Sequence, residues 1–126
     1  MGFITINPNP KRKSVGDCVI RSISIVTEKE WDDVFLELML KAFDMKDIPT
    51  ANNVWGSYLH DLGYSRGAIE DTCPECYTVK NFVADNPQGT FVLGTGSHAI
   101  AVKDGQYYDS WDSGDEVPVY YWRKGD

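Results

Sequence analysis

The feature that most constrains this chain is a change of hydrophobic period part-way along it. Up to about residue 86 the apolar residues recur at three- and four-residue spacings, and from about residue 90 they recur every second residue. In the first part, Val19, Ile23 and Val26 lie at helical spacing within Cys18 to Val26, and Ser14-Val15-Gly16-Asp17 reads as a capping box ahead of them. Thr27-Glu28-Lys29-Glu30 reads as a second capping box. Trp31, Val34, Phe35, Leu38 and Met39 follow at i, i+3, i+4, i+7 and i+8, which predicts an amphipathic helix. Val54, Trp55, Tyr58, Leu59 and Leu62 predict a third helix closed by Gly63. Residues 64–77 read as irregular, and Val79, Phe82 and Val83 predict a short fourth helix stopped by Asn86-Pro87 and Gly89.

The later part reads as strands over Thr90–Leu93, His98–Lys103, Gln106–Trp111 and Val117–Trp122, with Asp104-Gly105 as a two-residue hairpin turn. Near the N-terminus, Phe3 to Ile6 alternates briefly before Pro8 and Pro10 hold the backbone extended. Helices first and antiparallel strands later make an α+β fold. The expected architecture is a single domain over 1–126, with a helical part of about 14–86 packed on an antiparallel sheet of about 90–122.

Composition narrows the function. A chain of 126 residues needs no disulfide or metal to build a core. The net charge of −7 disfavours nucleic acid, because phosphate binding needs a Lys/Arg-rich surface. The apolar stretches are too short to span a bilayer, and no secretory signal is visible at the N-terminus. The expected setting is the cytoplasm, with the three cysteines reduced.

Cys18 carries the chemical signal. It falls in the first turn of a helix, where unpaired N–H groups and the helix dipole favour an anion, and the thiolate is the reactive form of cysteine. Lys11, Arg12 and Lys13 just upstream add positive charge. In the hairpin, the turn sets Lys103 opposite Gln106, Val102 opposite Tyr107 and Ala101 opposite Tyr108, and the register continues to His98 opposite Trp111. His98, Ile100 and Val102 then share a face with Tyr107, Asp109 and Trp111. Asp109 becomes the diagonal neighbour of His98, whereas Asp112 points to the other face. A Cys at a helix start and a His oriented by a carboxylate are the parts of an activated-thiol hydrolase.

These residues carry a resemblance. Gly16-Asp17-Cys18-Val19-Ile20-Arg21-Ser22 resembles the papain-like Gly-Ser-Cys-Trp-Ala-Phe-Ser segment, His98-Ala99-Ile100-Ala101-Val102 the family's His-Ala-Val strand, and Asp109-Ser110-Trp111 its Asn-Ser-Trp. The order Cys, His, Asx and a helical half before a sheet half are also similar. The short Cys-to-His spacing is similar to that of compact bacteriocin-leader peptidase domains, and the whole pattern to small papain-like proteins of bacteriophages and Firmicutes. The three motifs cover about 20 residues and, in outline, positions 14 to 112.

The resemblance implies a compact papain-like fold, a protein or peptide substrate and no cofactor. It implies Cys18 as nucleophile, His98 as base, Asp109 as orienter and Trp111 as the cover of the His–Asp bond. The setting would be the host cytoplasm if the gene is a phage's. One departure stands out: where the family has Gln six residues before the Cys, completing the oxyanion hole, this chain has Arg12. Arg12, Ser14 and Asn9 are the candidates to replace it. The alternative reading is therefore an inactive papain-like module that binds or inhibits a protein.

Other features are assigned more plainly. Gly94-Thr95-Gly96 is followed by no helix and so is no phosphate loop; Gly96 and Ser97 are expected to lie where an extended substrate approaches His98. Cys73-Pro-Glu-Cys76 is half of a zinc site or a redox pair, but no second pair completes it, so two reduced loop cysteines and no metal are expected. His60 is expected on the polar face of the third helix. The oligomeric state is open.

Overall fold

A computed structural model describes residues 2–13 and 15–125. The described residues form an α+β fold of four helices and one six-stranded mixed sheet. In chain order the elements are β1 (Gly2–Thr5), α1 (Cys18–Thr27), α2 (Trp31–Met45), α3 (Asn52–Asp61), β2 (Tyr64–Ala68), α4 (Val79–Asp85), β3 (Thr90–Gly94), β4 (Ala99–Lys103), β5 (Gln106–Asp109) and β6 (Tyr120–Lys124).

The sheet order is β1-β5-β4-β3-β6-β2. Two expectations are corrected here. The sheet is not confined to the C-terminal part, because both edge strands come from earlier in the chain. Nor is it wholly antiparallel, because β1 pairs with β5 in parallel, Phe3 lying against Tyr107 and Thr5 against Asp109. β2 occupies a stretch that reads as irregular, and only Tyr64 of its five residues is buried. An edge strand exposed over most of its length has little apolar alternation to show. It is held by backbone pairing to β6, with Arg66 opposite Trp122.

The centre of the sheet is buried on both faces. Val92, Ala99, Ala101, Tyr120 and Trp122 meet Ile23, Leu38, Trp55 and Leu59 of α1, α2 and α3. Phe91, Leu93, Ile100, Val102 and Tyr107 meet Val79, Phe82 and Val83 of α4. The molecule is thus three layers, with α4 alone on one side. The hairpin forms in the expected register, Lys103 against Gln106, Val102 against Tyr107 and Ala101 against Tyr108. Asp104 and Gly105 both take positive φ, 49° and 77°, as a two-residue turn matched to strand twist requires.

The helix boundaries correct both capping boxes. α1 is capped by Asp17, whose side chain makes no cap bond, and Ser14 lies outside the described residues. Thr27 belongs to the end of α1, its hydroxyl donating to the Ile23 carbonyl at 2.6 Å, so it cannot cap α2. α2 starts instead after Glu30, again without a side-chain cap, with Asp32 and Asp33 in its first turn facing the positive end of the helix dipole. Among the described residues, the one capping box that forms is at Thr78 and Asn81, at the start of α4. Among the described residues no helix is long and apolar enough to cross a membrane.

Cys73 and Cys76 are joined by a disulfide, which corrects the expectation of two reduced thiols. The local turn explains their approach. Glu75 N–H donates to the Thr72 carbonyl, the Thr72 hydroxyl to the Glu75 carbonyl and Cys73 N–H to Asp71 Oδ1, which brings the two Cα atoms to 4.1 Å. Cys18 is the free cysteine.

Candidate active site

Cys18 is the first residue of α1, and α1 packs across β4. Its thiol meets His98 and the backbone N–H of Ala99. Burial pushes the thiol up. The hydrogen bond from His98, the Ala99 N–H and the positive charges of His98 and Arg21 outweigh burial and hold the thiol below its ordinary value of 9.0. Ser22, one helical turn on, ties α1 to the same strand by donating its hydroxyl to the Ala99 carbonyl at 2.9 Å.

His98 is placed by a tight turn. Thr95 N–H donates to the His98 carbonyl at 2.9 Å and the Thr95 hydroxyl oxygen accepts from His98 N–H at 3.1 Å, with Gly96 between them at φ 101°. That turn leaves His98 just before β4 begins. Its Nε2 donates to Asp109 Oδ2 at 2.7 Å, which leaves Nδ1 for the thiol. Burial alone would lower the imidazole. The bonds to Asp109 and Cys18, with their negative charge, reverse this and raise it to about 9 from 6.5.

Asp109 ends β5 and is 3% exposed. Burial opposes its charge, but it accepts from His98, from the Ser113 hydroxyl at 2.7 Å and from Ser110 N–H at 2.8 Å, so its carboxyl stays below the ordinary carboxylate value. The diagonal His98–Asp109 contact read from the hairpin is therefore present. The face assigned to it needs correction. Ile100, Val102 and Tyr107 point towards α4, whereas the His98–Asp109 pair meets Cys18 and Arg21 of α1 on the opposite side of the sheet. Both residues sit at strand ends, where alternation no longer dictates direction. Asp112 lies elsewhere, accepting from the Tyr107 hydroxyl at 2.6 Å. Trp111 leans over His98 with ring centroids 5.0 Å apart.

Two supporting residues escape sequence reading. Arg21 is buried and bridges Asp17 to Asp109, with Nη2 3.4 Å from Asp109 Oδ1. Asp17 also receives Trp31 Nε1 at 3.0 Å and Asn9 Nδ2 at 3.3 Å. Its carboxylate is thus bound to these donors rather than to the Cys18 sulfur. The four-residue spacing between the N-cap Asp17 and Arg21 at the start of an otherwise largely apolar helix is the signal that could have pointed to this pair. Ser113, fully buried, had no such signal.

A cavity of about 250 Å³ opens over Cys18 and His98, walled by Gly16, Thr50, Asn52, Trp55, Gly96 and Ser97. Gly96 and Ser97 both line this cavity. Arg12 does not. It lines a separate hollow with Thr5, Ile6 and Asn7, because the chain turns at Asn7–Lys11, where Asn7 and Asn9 side chains accept from backbone N–H groups two residues on. The expectation that Lys11, Arg12 and Lys13 electrify the thiol is replaced by Arg21. Asn9 is committed to Asp17, and Ser14 lies outside the described residues. His60 is exposed on α3. Among the described residues no three His, Cys, Asp or Glu side chains converge as metal ligands.

Comparison of the chain with protein-family models, curated proteins and solved structures found no match to any of them. The chemistry therefore rests on the site itself. A thiol shifted down, an imidazole shifted up and a buried carboxylate fixing the imidazole favour a thiolate–imidazolium pair, the form in which a thiol can attack an electrophilic carbon. The imidazolium then has a proton to give to a leaving group.

Proposed function

We propose that this chain is a compact papain-like cysteine hydrolase that cleaves a peptide or isopeptide bond. Cys18 is its nucleophile, His98 its acid and base, and Asp109 the residue that orients His98. The observation that carries the reading is the Cys18–His98–Asp109 line at the mouth of an open cavity, with Nε2 of His98 2.7 Å from Asp109.

In the first half-reaction the Cys18 sulfur bonds to the carbonyl carbon and the oxygen takes up negative charge. The Cys18 backbone N–H at the start of α1 donates to that oxygen. Among the described residues lining the cavity, Asn52 is the only side-chain amide. Its Oδ1 accepts from Trp55 Nε1 at 3.1 Å, which leaves Nδ2 free to donate to a carbonyl held there. In this reading Asn52 takes over the task of the missing Gln from a different element. Collapse of the intermediate breaks the C–N bond, and the amine leaves with the His98 proton. Water then attacks the acyl-thioester, His98 takes its proton and the Cys18 thiolate is restored.

The alternative, a papain-like scaffold that binds a protein without turnover, is favoured by the position of Arg12 outside the cavity. Mass spectrometry of a mixed peptide library incubated with the protein separates the two. Hydrolysis that is lost in both Cys18→Ala and His98→Ala supports the hydrolase, and a covalent thioester on Cys18 trapped by rapid acid quench supports it further. Peptides that bind but survive intact overturn it in favour of the binding module.

A further inference from the structure

Beside the Cys18 cavity, and sharing Asn52 with it, lies a groove of about 390 Å³ between α3 and the β2–β6 edge. Its walls include Asn53, Ser57 and His60 from α3 and Arg66 from β2. Tyr120 and Trp122 line it from β6, and Gly56 lets α3 sit close against Trp122: a Cβ there would come 2.8 Å from the Trp122 ring. The groove carries no carboxylate, although the chain has 19 acidic residues against 12 basic ones. Acidic side chains outnumber basic ones in the chain, yet among the described residues this stretch of surface carries one guanidinium and several groups able to donate, with no fixed negative charge.

The groups are also uncommitted. Among the described residues neither Arg66 nor His60 makes an ion pair or a side-chain hydrogen bond, whereas the neighbouring Asp61 is bound by Lys41 at 2.7 Å. The Arg66 guanidinium lies over the Tyr120 ring at 4.5 Å. A cation–π contact of this kind leaves the guanidinium N–H groups available, and a guanidinium takes a carboxylate by two parallel bonds. Asn53 and Ser57, one helical turn apart, add neutral donors on the same wall.

We propose that this groove is a subsite that binds a carboxylate side chain, Asp or Glu, of the peptide substrate, with Arg66 as the charged partner and His60 as a second donor. This rests on the hydrolase reading for its word substrate, but its binding test does not. The peptide runs from the Cys18 cavity past Asn52 into the groove. The net charge of −7 repels acidic peptides from the rest of the surface, so the groove selects where the acidic residue sits and not merely that one is present.

The experiment uses Cys18→Ala protein and two pools of N-acetylated hexapeptide amides, identical except for Glu in one and Gln in the other at each position in turn. Calorimetric titration at low salt should show Glu binding more tightly at one position, by roughly three- to tenfold, the size of a partly exposed ion pair. The preference should shrink at high salt, and Arg66→Glu should abolish or reverse it. Arg66 is exposed on an edge strand, so that variant keeps its fold, and the salt series on unaltered Arg66 tests the point independently. Equal binding of Glu and Gln, no binding of either, or a preference that survives Arg66→Glu overturns the subsite. Glu-selective binding to Cys18→Ala without cleavage by the wild type leaves the subsite standing and overturns the hydrolase. Cleavage with no preference for Glu does the reverse.

Discussion

Arg21 is the residue on which the site's geometry turns. It holds Asp17 on one side and Asp109 on the other, and all three are buried. Removing the guanidinium strands two carboxylates in a low-dielectric place, a loss of about 3–5 kcal/mol for a broken buried pair. Arg21→Ala should therefore lower the urea midpoint strongly. It should also raise the Cys18 thiol, since Arg21 is one of the charges holding it down. A variant destabilised in urea but unchanged in thiol titration would show that Arg21 is structural only. Asn52→Ala should lower kcat/KM by about 10²–10³ if its amide meets the oxyanion, while losing the bond from Trp55 Nε1 costs stability of about 1–3 kcal/mol and leaves the chain folded. Of the residues that meet around Cys18, sequence reading singled out Cys18, His98, Asp109 and Trp111 because each belongs to a short motif or a turn-fixed register. It missed Arg21 and Ser113, whose role comes from where α1 and the 109–113 loop meet in space.

At the scale of elements, α2 shows how spacing can be right while the buried stripe is rotated. Val34, Leu38 and Ala42 face the core, while Phe35 and Met39, read as part of the same stripe, are exposed along with Leu36, Leu40 and Phe43. A helix that is apolar on more than one side lets the sequence specify a helix without specifying its inner face. The expected contrast is sharp. Leu38→Ala should cost about 2–5 kcal/mol, because that side chain is fully buried. Leu40→Ser, at 67% exposure, should stay within about 0.5 kcal/mol. Denaturant melts of the two variants would check this, and comparable losses would mean that α2 is turned the other way. The hairpin was legible next to its turn, over Ala101–Lys103 and Gln106–Tyr108, because Asp104-Gly105 imposes the register locally, and less so at its far end, where His98 and Asp109 leave the expected face. β1 and β2 were not, because their partners lie far along the chain and only pairing makes them strands.

For the whole molecule, the site couples charge to folding. His98 has its folded value raised to about 9 from 6.5, so its protonated form stabilises the fold fully below 6.5 and that contribution disappears as pH rises through about 9. Asp109 is held below 3.8, so its contribution is present above that value and is lost as pH falls through the depressed one. In urea titrations across pH, the stability difference between wild type and His98→Gln should shrink from pH 6.5 upward. A difference that grows with pH would reverse the assignment of charge. The thiolate–imidazolium pair itself has a more direct test, made simple because Cys73 and Cys76 are bonded to each other and Cys18 alone is free. The measurement is the rate of Cys18 alkylation by iodoacetamide as a function of pH. The rate should rise with a midpoint below 9.0, and His98→Ala should move that midpoint up. A wild-type midpoint near 9.0 that His98→Ala does not shift would contradict the pair and the chemistry built on it.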